Sequence, residues 1–468
     1  MNQAAPKKWQ TLPEDYFFIP GQDDGLAFQE APDWFLRRVP GARVRQYACS
    51  EFPRIQKVIQ KNIETRWTDI EPVIFEINTV PMVAENVVFR NGVAELSGKC
   101  LLNGAAGDRV LARYFKHNES GVAFRRTNRF FFAAQEKVRL DLPVDPADPS
   151  RVPLGIECRN RTNYYHFMTE TLPQLTYADP DAGSDIVIHC RNDDPSGFSD
   201  RFIRTFFPEL VDRISFTSRR ASYDRAIIPF NFRHCIYSNG DPRLTLPLSD
   251  TGKDDGWQRL GAHIKRRKFV FKNSFDISLR RMRERALSMI RPEDLARMPR
   301  RIWVSRDNSS DVVQKKRLMV GEDRLIARLR ELGFVQMFFE HMSPYEQIAA
   351  VHAADVIGSV HGAFFANMMF ARPDAHVIEV GSVQTQLHRW GDFLGNAHAS
   401  GCRYSKVFAD IATADPTRVP LITEGHVGVK VGDAAIDLIC GLAEDRQDAR
   451  GRPSSGSGQV VRPGGGQA

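Results

Sequence analysis

Residues 333–381 read GFVQMFFEHMSPYEQIAAVHAADVIGSVHGAFFANMMFARPDAHVIEVG, and their punctuation sets the fold. Gly333 ends an amphipathic helix predicted over 321–332 (GEDRLIARLREL), since glycine tolerates the left-handed position past a helix end. FVQMFF (334–339) is a short apolar run of strand type. Ser343 and Pro344 open the next helix as cap and first helical residue, and Glu346, three after the cap, completes a capping box. DVIGSV (355–360) and HVIEV (376–380) are buried strands, with a short helix at 363–371 between them. Upstream, RIWVS (301–305) supplies another strand. Four strands separated by three helices within roughly 80 residues read as a Rossmann-like domain at 301–410.

A less regular alternation runs through 151–258. NYYHFMTETLPQLTYA (163–178) predicts a helix that Pro173 kinks or ends. DIVIHC (185–190), RISF (213–216) and RAIIPF (225–230) predict strands, and GFSDRFIRTFF (197–207) a helix opened near Ser199. A first Rossmann-like domain is therefore expected at 151–258, set off by the proline-rich joint VDPADPSRVP (144–153). Residues 1–150 lack sustained helical periodicity, and PMVAENVVFRNGVAELSGKCLL (81–102) places strands around an Asn91-Gly92 turn, so this region is expected to be β-rich. A basic helical linker at 259–300, a C-terminal segment with a helix at 411–445 and a disordered tail at 446–468 complete the expected layout.

The composition belongs to a globular chain: 468 residues, 42% hydrophobic and 26% charged, enough for two or three domains. No signal-peptide core and no run of membrane-span length is present, and seven scattered cysteines without CxxC spacing fit free thiols in a reducing compartment. A cytoplasmic protein is expected. The net charge of +7 is uneven, with 14 Lys/Arg against 4 Asp/Glu between Arg259 and Arg301. That stripe reads either as a solvated helix face or as a peripheral contact with a membrane surface or an acidic polymer. Its few interleaved aromatics argue against nucleic acid as a partner.

In an open α/β sheet, ligands bind beyond the carboxyl ends of the strands. In 301–380 those ends are Ser305-Arg306, Glu340-His341, His361-Gly362 and Glu379-Val380-Gly381. Gly362 and Ala363 leave the next helix start unobstructed, so its unpaired N–H groups can approach an anion. His361 can donate to a phosphate oxygen or a base carbonyl, Arg306 offers a charged fork, and Glu379 can accept ribose hydroxyls. A nucleoside diphosphate suits the set; the bland alternative is a compact turn with a structural histidine. His166 and Glu170, four apart on a helix, share a face and suit general-base work, with either residue as the base; an ordinary i,i+4 contact is the bland reading. No HExxH or other metal-ligand spacing is present, and neither GxxxxGK[ST] nor GxGxxG occurs, so no metal and no resident cofactor is expected.

Taken in order, these pieces resemble glycosyltransferase family 61, including bacterial members of capsular polysaccharide biosynthesis. NYYHFMTETLPQL matches the family's Asn-aromatic-aromatic-His segment, and IWVSR its strand ending in Ser-Arg. Residues 332–370 follow its pattern of Gly-Phe, Glu, Ser-x-x-Glu-Gln and His-Gly-Ala-x-x-x-Asn-x-x-Phe, which adds Asn367 to the donor side. HVIEVGS matches the closing strand. Glu170 stands where the family usually has Asp, Gly321 where it has Asn, and Phe364 where glycine is common. The resemblance implies two facing Rossmann-like domains of the GT-B type and an inverting, metal-independent transfer from a nucleotide-sugar donor to a glycan acceptor. His166, Glu170 and Arg306 would be catalytic; Arg306, His361, Gly362, Ala363, Asn367 and Glu379 would bind the donor. The competing reading is a non-catalytic protein that binds an anionic polymer or a nucleotide.

Overall fold

The computed structural model describes residues 12–65, 70–117, 137–194, 197–236, 245–246, 272–307, 318–413, 415 and 418–445. The chain divides into two compact units, residues 1–39 with 73–286 and residues 40–72 with 287–468. The expected tail at 446–468, residues 247–258 at the end of the expected first Rossmann-like domain and the first part of the basic stretch, 259–271, lie outside the described residues. No helix among the described residues is long and apolar enough to cross a membrane. None of the seven cysteines forms a disulfide, and six are buried.

The chain starts in the first unit with β1 (Leu26–Phe28) and β2 (Leu36–Pro40). It then contributes β3 (Arg43–Ala48) and the helix Pro53–Thr65 to the second unit, and returns with β4 (Val73–Ile77). A meander of β5 (Thr79–Arg90), β6 (Val93–Leu96) and β7 (Lys99–Cys100) follows. Its turns are Asn91-Gly92 and Ser97-Gly98, all four residues at positive φ, as tight hairpins require. Next come β8 (Leu154–Cys158), β9 (Ile186–Cys190), β10 (Ile214–Thr217) and β11 (Ala221–Asn231).

These strands form one sheet in the order β10-β9-β8-β11-β5-β6-β7, with β1 on β5. β8, β9 and β10 run parallel, while β11 pairs antiparallel to β5 over its whole length. Residues 1–39 and 73–150 thus share one unit with the strands of 151–258, because β11 joins them through a shared core that includes Val87, Phe89, Leu96, Ile228 and Phe230. The helix expected from Ser199 begins one residue earlier, at Phe198 behind a left-handed Gly197. Ser199 is buried inside it and bonds to Asp194 rather than capping.

A second small sheet holds β12 (Thr245–Leu246), β2, β4 and β13 (Ser274–Asp276). The stretch expected as a basic helical linker is helical at Ile277–Ser288 and Pro292–Arg297. Part of its charge is structural: Arg280 pairs with buried Glu76 at 2.9 Å, and Arg285 grips Glu209 through one nitrogen at 2.6 and 2.7 Å.

The second unit follows its sequence closely. β14 (Arg301–Ser305), β15 (Met319–Val320), β16 (Val335–Phe338), β17 (Val356–Val360), β18 (His376–Ser382), β19 (Arg403–Ala412) and β20 (Gly428–Lys430) form a sheet ordered β15-β20-β19-β18-β17-β14-β16. The helix Glu322–Glu331 starts after left-handed Gly321, whose Cβ would lie 2.5 Å from the Val431 carbonyl oxygen, so the residue is glycine for want of space. Ser343 and Glu346 make the capping box expected before Pro344–Ala353. Residues Ala363–Phe370 form a 3₁₀ helix rather than the short α-helix expected. Trp303, Leu325, Leu329, Ile378, Val407 and Ile439 pack in the core, and a Cβ on Gly358 would sit 2.4 Å from the Trp303 ring.

Candidate active site

The parallel strands of the second unit run β16-β14-β17-β18-β19 across the sheet, so the chain after β14 reaches β16 on one side and the chain after β17 reaches β18 on the other. The crevice beyond the carboxyl ends of β14 and β17 is the switch point at which such sheets take ligands. Arg306 follows the last residue of β14, and His361 follows the last residue of β17. Val304 and Ser359 are register partners two residues before each, so Arg306 and His361 emerge side by side. Ser305 is held back from the crevice, its hydroxyl donating to Glu322 at 2.7 Å and accepting from Gln336 at 3.0 Å.

Arg306 is half-buried. Burial lowers its guanidinium pKa, and Glu340 acts in the opposite direction. The Asp307 amide donates to Glu340 at 2.5 Å, and the His341 ring meets Asp307 at 2.9 Å, which places the other expected rim residues beside the same loop. Gly362 is buried with extended backbone, and Ala363 opens the 3₁₀ helix.

His361 is fixed from behind. Its Nδ1 bonds Glu379 Oε1, and its ring lies 4.9 Å from that of Phe393. Glu379 is 2% exposed, and its Oε2 accepts from the Tyr404 hydroxyl and from Lys406 Nζ at 2.6 Å. Lys406 also donates to the Trp390 carbonyl at 2.9 Å. Burial works against ionisation of Glu379, but the Lys406 ammonium and the His361 hydrogen bond outweigh it and hold the carboxyl down at about 2. Asp392, nearby, has its pKa raised by burial against the pull of Arg389, His361 and Lys406.

Two expectations change here. A ribose acceptor needs an open carboxylate, and Glu379 is sealed with both oxygens engaged; it positions His361 instead. Asn367 is 1% exposed and reaches Gln347 at 3.5 Å, so it braces the 3₁₀ helix against the preceding one and lines no crevice. Lys406 and Tyr404 escaped the sequence reading. The available signal was a lysine, Lys406, set just before the apolar run Val407–Ala409 in β19 and facing Glu379 in register.

In the first unit, His166 and Glu170 meet as expected, with Nδ1 to Oε1 at 2.8 Å. The local geometry differs from a plain helix. Asn163 caps a single α-turn, Tyr164–His166, by accepting from the His166 amide. A π-turn follows at Phe167–Thr171 and a 3₁₀ turn at Leu172–Tyr177, with Pro173 near the junction. Proline has no N–H to continue the α ladder, and the extra residue of the π-turn absorbs the mismatch. Gln174 donates to the Glu170 carbonyl at 2.5 Å, satisfying part of that disrupted backbone. Arg159 reaches Glu170 Oε1 at 3.4 Å, while Glu170 Oε2 is buried and has no hydrogen-bond partner among the described residues. Below the pair, burial pushes the Glu157 carboxyl up to about 7, against the pull of the Ala94 amide and Asn103.

The structure therefore joins His166 to Glu170 in one unit, and groups Arg306, His361, Gly362 and Ala363 over Glu379 in the other. Among the described residues no group of three His, Cys, Asp or Glu is arranged to hold a metal ion. Residues 164–378 match the family model described as Glycosyltransferase 61. No curated protein matches the chain.

Proposed function

We propose that this chain, a glycosyltransferase of family 61 over residues 164–378, moves a sugar from a nucleotide-sugar donor to a glycan acceptor with inversion at the anomeric carbon. The observation that carries this reading is His361, held by buried Glu379 at the switch point beside Arg306. An imidazole anchored through Nδ1 to a carboxylate keeps one ring orientation, and a half-buried guanidinium beside it favours a dianionic group. In the reaction, the acceptor hydroxyl oxygen attacks the anomeric carbon as the bond to the diphosphate breaks. The hydroxyl proton passes to the His166/Glu170 pair, and the negative charge gathering on the leaving diphosphate meets Arg306, His361 and the amides at 362–363. Glu170 Oε2, an acceptor without a donor, supports the carboxylate as the atom that receives the proton, with His166 and Arg159 positioning it.

The proposal extends to a GT-B pairing of the two units, to catalysis without metal, and to work at the cytoplasmic side of capsular or other cell-surface polysaccharide synthesis. Arg306→Ala should lower kcat by 100-fold or more, about 3 kcal/mol of transition-state stabilisation, while the melting temperature stays within a few degrees. A wild-type rate in the purified variant refutes the role. A thermal-shift screen of nucleotide sugars identifies the donor, since a ligand of the native state raises its melting temperature. Chelator should leave the rate unchanged.

A further inference from the structure

The carboxyl edge of the first unit's sheet carries a group of four arginines, of which the scheme above uses Arg159 alone, as a positioning partner of Glu170. β8 and β9 end on the register pair Cys158 and Cys190, so the next residues, Arg159 and Arg191, stand side by side on that edge. The helix Gly104–His117 brings Arg109 and Arg113 to the same place. Arg109 donates to the Arg159 carbonyl at 2.9 Å and to the Asn91 carbonyl at 3.0 Å, tying the tip of the β5–β6 hairpin to the end of β8. Burial, and then repulsion from Arg113, Arg191 and Arg159, lower the Arg109 pKa. Among the described residues, only Arg159 of these four pairs with a carboxylate, and that carboxylate is Glu170. Buried Glu157 offsets Arg109 only partly, because its own ionisation is suppressed. Arg113 shares a hydrogen bond with Tyr16, and Arg191 is exposed.

Like charges gathered this closely oppose folding unless something negative answers them. We propose that the edge formed by Arg109, Arg113, Arg159 and Arg191 binds an anionic group, a carboxylate or a phosphate, carried by the acceptor glycan. The proposal rests on the transferase reading, and it names the acceptor's chemical class. Arg159 lies between the cluster and Glu170, so an anion seated there brings a neighbouring sugar hydroxyl toward the His166/Glu170 pair. Arg191 and Arg159 supply the direct contacts; Arg109 and Arg113, partly committed to the fold, supply field.

The test is isothermal titration of the full chain with three probes. These are a tetrasaccharide of alternating glucuronate and N-acetylglucosamine, the same tetrasaccharide with its carboxylates reduced to alcohols, and glucose 6-phosphate. Binding of the charged tetrasaccharide at least 10-fold tighter than its reduced form, with the difference abolished in Arg191→Gln and largely kept in Arg191→Lys, identifies a uronate. The same pattern for glucose 6-phosphate identifies a phosphate. Equal binding of the charged and reduced tetrasaccharides together with no Arg191-dependent binding of glucose 6-phosphate, or binding of both anions indifferent to Arg191→Gln, overturns the proposal. Arg191 is exposed, so the variant should melt with the wild type, and a matched melting temperature validates the comparison. Failure of the two readings is separable. Anion binding without any response to nucleotide sugars removes the transferase and leaves this edge standing. Turnover with anion affinity insensitive to Arg191 does the reverse.

Discussion

A carboxylate gripped by an imidazole, a phenol and an ammonium, all buried, holds its neighbours in place more than it awaits a ligand. Glu379 does this for His361. Glu379→Gln should cost roughly 3–5 kcal/mol of stability, because it strands the Lys406 ammonium in the interior. Glu379→Gln combined with Lys406→Met should recover part of that loss without restoring turnover, and denaturant unfolding beside a rate assay separates the two effects. The acid limb follows from the same pair. The folded carboxyl titrates at about 2, below the ordinary Glu value, so its contribution is complete above about pH 4.5 and fades as pH falls toward 2. Sequence alone placed Glu379 at the right strand end, but the buried contacts that engage both its oxygens there were not legible. What it faces is decided by the parallel register Glu379–Lys406, a pairing across 27 residues that no local pattern encodes.

At the level of elements, the helices of the second unit were legible because their ends are written in side chains: Ser343, Pro344 and Glu346 at one start, Gly333 after one end. The 163–178 segment was legible as an interrupted helix, and the contact between His166 and Glu170 survived the interruption. The π-turn that carries Glu170 was not legible, since it depends on how the chain accommodates Pro173 rather than on residue type. Pro173→Ala supplies the missing N–H and should let a regular α-helix advance into the turn. We expect kcat to fall 10-fold or more while the melting temperature holds or rises. An unchanged rate would detach the turn from catalysis. β3 and β19 also escaped the reading, β3 because it has no buried residue to mark a core face and its pairing partner lies in the C-terminal region.

For the molecule as a whole, the two units follow strand pairing, which ignores sequence distance. Residues 40–72 complete the second unit, with β3 along β19 and the Gln386 amide donating to the Ile59 carbonyl at 3.1 Å and accepting from Asn62 at 3.0 Å. A fragment of residues 287–445 should therefore be insoluble when expressed alone, with the β19 edge bare, and should become soluble when 40–72 is supplied beside it. Equal solubility with and without the added peptide would show that the unit closes on itself.

The order of synthesis gives that strand pairing a temporal side. Arg43 pairs with Arg403, 360 residues later, so at about 5–20 residues per second β3 leaves the ribosome about 20–70 s before its partner exists. During that interval the nascent chain displays an unzipped strand and an amphipathic helix, a natural landing place for chaperones. Substitutions in residues 40–72 should consequently affect the yield of folded protein more than its rate per folded molecule.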